Sequence, residues 1–277
     1  MRVARPPDWL IYAAAVLGLA VLAVAKQERA DAPPAPPPIA DAGAGAGFGL
    51  SPGMRTSKVR KLPAQAWARM QGTAFSVSDA GVWLTARHVV NGCRQAAVLV
   101  APGRGVQAMV SADRRSDVAV LITQGGSSPL PLALDLPLKV GQRAFHPGFP
   151  QGAPGETASR LLGAYLLRGQ AHGDGRLAVL AWAEVGRTGG LQGSLSGLSG
   201  APVLDKAGRV IGVTLAESPR RGRIYSAPQA AIRAALKLAG RSPDGFASGQ
   251  PITTDNYGRA ADSLRRDLRV APVVCLD

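Results

Sequence analysis

The segment that most narrows what this chain can fold into is Gly197-Leu198-Ser199-Gly200-Ala201-Pro202. It runs directly into Val203-Leu204, a turn, and Arg209-Val210-Ile211-Gly212-Val213. A serine set between two glycines and followed by a short strand, a turn and a second strand reads as a tight backbone corner at a sheet edge. The glycines let the chain turn sharply beside the hydroxyl and leave space for a carbonyl to approach it. With 34 glycines, 22 prolines and only 5 % aromatic residues, the chain suits many short strands joined by turns, an all-β design. Taken alone, the segment could also be an ordinary Gly/Ser-rich loop, since Ser194 and Ser196 lie close by.

Two further strings stand upstream. Val82-Trp83-Leu84-Thr85-Ala86 is an apolar run that ends just before His88, and Asn91-Gly92 then marks a turn. Asp117 directly precedes Val118-Ala119-Val120-Leu121-Ile122. A serine hydroxyl attacks poorly near pH 7 until a neighbouring base takes its proton. Imidazole is the usual base, and a buried carboxylate fixes its tautomer. The chain therefore holds one candidate for each part: His88, Asp117 and Ser199. Asp113 is a rival carboxylate, and any of the three could be an ordinary surface or core residue.

These strings, in the order His, Asp, Ser, resemble those of the trypsin-like serine proteases, closest to the HtrA/Deg branch. The resemblance covers about residues 67–240. It implies two six-stranded antiparallel β-barrels of chymotrypsin type with a C-terminal helix, and it places the acid immediately before the apolar run, which favours Asp117. By the same carry-over the oxyanion donors are the N–H groups of Gly197 and Ser199. Activity on protein or peptide substrates follows, without a cofactor and without a metal. Leu198 stands where the family carries Asp or Asn, so activation through an aspartate–N-terminus pair is not expected, and nothing polar is left to anchor the oxyanion loop. The specificity pocket falls on Gly193, Val213, Thr214 and Leu215. Gly193 offers no carboxylate, so small or medium aliphatic side chains are expected in preference to Lys or Arg.

The first barrel is expected within about 67–134 and the second within about 139–226. A helix opened by Pro228 follows, with Ile232, Ala235, Leu236 and Ala239 on one stripe. Beyond Gly240 the tail is far too short for the PDZ domain usual in the HtrA branch. Tyr257, Ala261, Leu264 and Leu268 repeat at helical spacing, and Val270 to Leu276 has the composition of a strand.

Residues 1–8 form a short basic tail, and 9–25 an uninterrupted apolar run, Trp9 to Ala25. That run reads as a membrane anchor or a signal sequence, with Ala23-Val24-Ala25 fitting a cleavage site. Residues 26–54 form a Pro- and Ala/Gly-rich linker, 55–240 the protease domain, and 241–277 a tail packed on it. The expected location is the bacterial inner membrane with the catalytic domain in the periplasm, or secretion after cleavage. Export also makes a Cys93–Cys275 bridge plausible, the alternative being two buried thiols. The net charge of +14 comes without a nucleic-acid-binding motif and reads as solvated charge, so no nucleic-acid partner is expected. A non-catalytic peptide-binding module and an esterase are the competing functions.

Overall fold

In the computed structural model, strands and their side-chain alternation build two closed barrels; residues 59–61, 70–113, 115–168, 176–244 and 249–276 are described. The apolar run at 9–25 and the linker at 26–54 lie outside them. Among the described residues no helix is long and apolar enough to cross a membrane.

The first barrel is built from β1 (Val59–Lys61), β2 (Met70–Ser78), β3 (Val82–Ala86), β4 (Ala96–Ala101), β5 (Arg104–Ala112), β6 (Val118–Thr123) and β13 (Val270–Cys275). Its strands run β5-β4-β13-β2-β3-β6, and β6 pairs back onto β5 to close a ring of six; β1 lies on the far half of β5. Every residue of β3 is buried, as expected of an apolar run too continuous for a one-sided strand. The β2–β3 hairpin turns at Gly81, where φ is +88° and a Cβ would lie 2.4 Å from the Thr123 carbonyl oxygen. Only glycine fits there. The Trp83 indole N–H, fully buried, donates to Thr123 Oγ1 at 3.0 Å.

The second barrel is closed in the order β10-β11-β12-β9-β8-β7. Its strands are β7 (Arg143–Gly148), β8 (Gly155–Arg168), β9 (Arg176–Arg187), β10 (Pro202–Leu204), β11 (Val210–Ser218) and β12 (Arg223–Ala227). Leu161, Trp182, Val203, Ile211 and Ile224 fill its centre together with Leu198. Among the described residues three α-helices accompany the strands: α1 (Arg87–Val90), α2 (Gln229–Leu238) and α3 (Tyr257–Arg266). Helix α2 buries Ile232, Ala235 and Leu236, and α3 packs on β7, β8 and β13.

The first barrel departs from the sequence expectation in one respect. Residues 67–134 supply only five of its six strands. The sixth is β13, inserted between β2 and β4 with Val273 opposite both Gly72 and Val98. Val270, Ala271, Val273 and Val274 are fully buried. The C-terminal segment is thus an inner stave of the barrel and not a layer laid over it. A gap between β2 and β4 would otherwise leave two rows of backbone N–H and C=O groups unpaired, which is costly in a core.

Candidate active site

His88 sits on α1, the single helical turn that follows β3, and Asp117 immediately precedes β6, the strand paired with β3. The antiparallel register therefore brings the two ends together. Arg87 N–H donates to the Asp117 carbonyl at 3.0 Å, His88 N–H to Asp117 Oδ1 at 3.0 Å, and His88 Nδ1 meets Asp117 Oδ2 at 2.8 Å. The carboxylate can only accept, so it holds the proton on Nδ1 and leaves Nε2 as a free lone pair. Asp117 is buried while the His88 side chain is 45 % exposed, so the ring faces the cleft. Asp113 turns elsewhere, to Arg115 Nε at 2.9 Å.

Ser199 lies on the turn before β10. Thr73 N–H donates to the Ser199 carbonyl at 2.8 Å, and Gly200 N–H to the Thr214 carbonyl at 2.7 Å. Gly200 has φ +87°, and a Cβ on it would fall 2.0 Å from the Thr73 carbonyl oxygen. This corner could carry no other residue without moving two strands. The Ser199 hydroxyl donates to the Leu215 carbonyl at 2.9 Å. Ser199 and His88 line one cleft of roughly 310 Å³. Among the described residues, nothing accepts the amide hydrogens of Gly197 or Ser199, so both are available to an incoming oxygen.

Leu198 explains how the loop does without a polar anchor. It is 2 % exposed and belongs to the same apolar cluster as Leu195, Ala201 and Trp182. Polar contacts come from other segments. Thr73 Oγ1 donates to the Gly197 carbonyl at 2.8 Å. Gln151, in left-handed backbone with φ 54°, donates from N–H to the Ser196 carbonyl at 2.5 Å. Its side-chain amide reaches the Gln192 and Ser194 carbonyls at 2.6 and 2.8 Å. The turn carrying Gln151 is itself held at both ends by Arg265 of α3. The Arg265 guanidinium donates to the carbonyls of Gly148 (3.3 Å) and Gly155 (3.1 Å) and to Glu156 Oε2 and Asp262 Oδ1, each at 3.0 Å. Burial pushes the Glu156 carboxyl up, and Arg265 and Thr188 pull it back. None of these supports is marked in the sequence near Ser199, and only the folded chain reveals them.

Behind the cleft, fully buried His146 meets Thr214 Oγ1 at 3.0 Å through Nδ1 and Ser159 Oγ at 2.7 Å through Nε2. Burial lowers its pKa from 6.5 to about 3. Above pH 6.5 the ring is neutral folded and unfolded alike. Below it, the unfolded chain takes a proton that the folded chain refuses until about pH 3. Stability therefore falls with decreasing pH across that window, by up to about 1.4 kcal/mol per unit. Urea midpoints at pH 7, 5 and 4 should drop more steeply for the wild type than for His146→Gln. Parallel slopes would show that His146 is not the source.

The four residues assigned to the specificity pocket separate. Thr214 and Leu215 line the cleft. Val213 is fully buried in the core. Gly193 lies at the surface, with its carbonyl accepting from Arg187 at 2.9 Å, and is not a lining residue. The lining also includes Glu217, which stands three residues beyond Thr214 on β11.

Cys93, on the turn after α1, and Cys275, at the end of β13, are paired in the structure with Cα atoms 5.3 Å apart, within the range a disulfide needs. Among the described residues no group of His, Cys, Asp or Glu could hold a metal ion.

This arrangement defines a trypsin-like peptidase domain. Residues 72–213 match the family model described as "Trypsin-like peptidase domain", and the chain belongs to that family. HhoA of Synechocystis sp., named as a serine protease, is 30 % identical over 153 residues, covering 53 % of this chain and 36 % of HhoA. A DegP-like protein of Halomonas elongata, named as a periplasmic serine endoprotease, is 36 % identical over 98 residues, 35 % of this chain and 21 % of the relative. These relatives place the chain on the HtrA side of the family, although it spans only about a third and a fifth of their lengths. Among solved structures, the Rv3671c protease of M. tuberculosis in its active form aligns with TM-score 0.53 at 24 % identity, over 71 % of this chain and 82 % of that one. That likeness is one of fold.

Proposed function

We propose that the chain is an exported serine endopeptidase, tethered to the inner membrane by residues 9–25, with Cys93 and Cys275 bridged in an oxidising compartment. The observation that carries the catalytic part is the double contact of Asp117 with His88 in the cleft that holds Ser199. Ser199 Oγ swings from the Leu215 carbonyl toward His88 Nε2, which takes its proton as the oxygen attacks a peptide carbonyl. The amides of Gly197 and Ser199 receive the oxyanion. His88 then returns the proton to the leaving amine, giving an acyl-serine that water hydrolyses by the same steps in reverse. Removing one oxyanion donor typically costs about 3–4 kcal/mol in barrier. The periplasmic name of the Halomonas relative supports export, as does a cysteine pair suited to oxidation.

A fluorophosphonate probe tests the catalytic reading. It should label the intact protein at Ser199 and leave Ser199→Ala unlabelled, and that variant should lose peptide cleavage. Absence of labelling in the wild type would favour a non-catalytic peptide-binding module. Labelling at Ser194 or Ser196 would show the nucleophile misassigned.

A further inference from the structure

We propose that Glu217 makes the cleft beside Ser199 a binding site for a basic side chain, lysine or arginine, on the acyl side of the bond to be cut. The proposal rests on the protease reading above and reverses the aliphatic preference expected from Gly193.

Among the described residues, Glu217 is the only acidic one lining the cleft. Its Oε1 is pinned by two donors, Ser194 Oγ at 2.5 Å and Leu195 N–H at 2.6 Å. Its Oε2 receives no donor, and no cation pairs with it, among the described residues. A carboxylate oriented on one oxygen and open on the other is an acceptor awaiting a donor. Arg187 does not fill that role. It binds Glu184 through two hydrogen bonds, including Nη2 to Oε2 at 2.7 Å, and spends Nη1 on the Gly193 carbonyl at 2.9 Å. The Glu184 hydrogen bond is what chiefly raises the Arg187 pKa, and Glu217 acts on it only at longer range. One cation is thus matched to Glu184, and the negative charge of Glu217 remains.

The placement also favours a long side chain. The Ser199 hydroxyl touches the Leu215 carbonyl, and Glu217 lies two residues farther along β11 with its carboxylate held at the Ser194–Leu195 turn. A side chain anchored at Ser199 must pass Leu215 to reach it, which lysine and arginine are long enough to do and alanine is not. Between the two ends the cleft offers Leu195, Leu215 and Ile224, apolar surface for a methylene stem. The Ser194 and Ser196 hydroxyls border the charged end and add acceptors for the remaining N–H groups.

Two measurements on the full chain test this. Peptides differing only in Arg, Lys, Val or Ala before the cut should give a higher kcat/KM for Arg and Lys. In Glu217→Gln the Arg-to-Val ratio should fall about 10- to 100-fold, the scale of one charge-assisted contact. Fluorescence titration with p-aminobenzamidine, a planar cation, should show binding to the wild type and to Ser199→Ala, and markedly weaker binding to Glu217→Gln. Because Ser199→Ala cannot hydrolyse anything by the proposed route, binding to it isolates the pocket from the chemistry. An unchanged Arg-to-Val ratio, or equal p-aminobenzamidine binding with and without Glu217, would overturn the proposal and leave Glu217 as an anchor of the Ser194–Leu195 turn. Failure of labelling at Ser199 with retained p-aminobenzamidine binding would instead sink the catalytic reading alone.

Discussion

Asp117→Asn should lower kcat by roughly 10⁴-fold while leaving the fold intact. The native carboxylate accepts from the His88 backbone N–H and from the ring Nδ1 at once, at 3.0 and 2.8 Å. Asparagine of the same shape can keep the first contact with its carbonyl oxygen. Its other end is then an NH₂ group, which cannot accept from Nδ1–H and instead favours the tautomer with the proton on Nε2. That tautomer has no lone pair left to take the Ser199 proton, so the defect falls on the chemical step. Steady-state kinetics on a peptide substrate and a urea unfolding curve on the same preparation separate the two effects. The expected pattern is a collapse of kcat with a nearly unmoved urea midpoint. Asp113→Asn is the paired control: its carboxylate contacts Arg115 and should leave kcat within a few-fold. A silent Asp117→Asn together with an impaired Asp113→Asn would reverse the assignment of the acid.

The residues legible in the sequence are those whose signals are local. His88 follows an apolar run and Asp117 precedes one. Those runs become β3 and β6, paired from Val82↔Ile122 to Ala86↔Val118, so two strand ends legible separately meet in space. Ser199 is marked by its glycines in the same way. Alternation and turn residues likewise carry the strands of the second barrel, whose hairpins link near neighbours. What the sequence hides depends on distant pairing. Val270 to Leu276 has the composition of a strand, but nothing in it names β2 and β4 as partners. The anchor of the oxyanion loop is equally non-local: Thr73 lies 124 residues from the Gly197 carbonyl it binds, Gln151 41 and 43 from those of Gln192 and Ser194, and Arg265 117 and 110 from those of Gly148 and Gly155. Leu198 looks like a lost polar contact until its burial in the second core is seen. The pocket is legible only in part: Thr214 and Leu215 line the cleft together with Glu217 of the same strand, whereas Gly193 lies outside the lining.

The largest effect on stability should come from deleting β13, and it should greatly exceed the effect of breaking the bond that ends it. A chain stopped after Asp267 loses Val270, Ala271, Val273 and Val274, all fully buried. The three valines alone account for about 5–9 kcal/mol of burial, comparable to the entire stability of an ordinary domain. The deletion also strips hydrogen-bond partners from both β2 and β4. Pro272 shows how closely this strand is fitted. It lies opposite Thr73 of β2 but outside the stretch 273–275 that β4 pairs, where a residue without an N–H is least disruptive. The truncated chain is therefore expected to show no cooperative thermal transition. Cys275→Ser keeps the strand and removes only the closure of a 182-residue separation, a loss of about 5 kcal/mol in the chain-entropy account. It should fold, with a clearly lower urea midpoint, and its activity should fall because Cys93 steadies the turn leaving the helix that carries His88. Reducing the wild type should reproduce the Cys275→Ser midpoint. A truncated chain that unfolds cooperatively at the wild-type midpoint would show that the first barrel closes without β13, and a Cys275→Ser midpoint equal to that of the oxidised wild type would show that the two sulfurs are not joined.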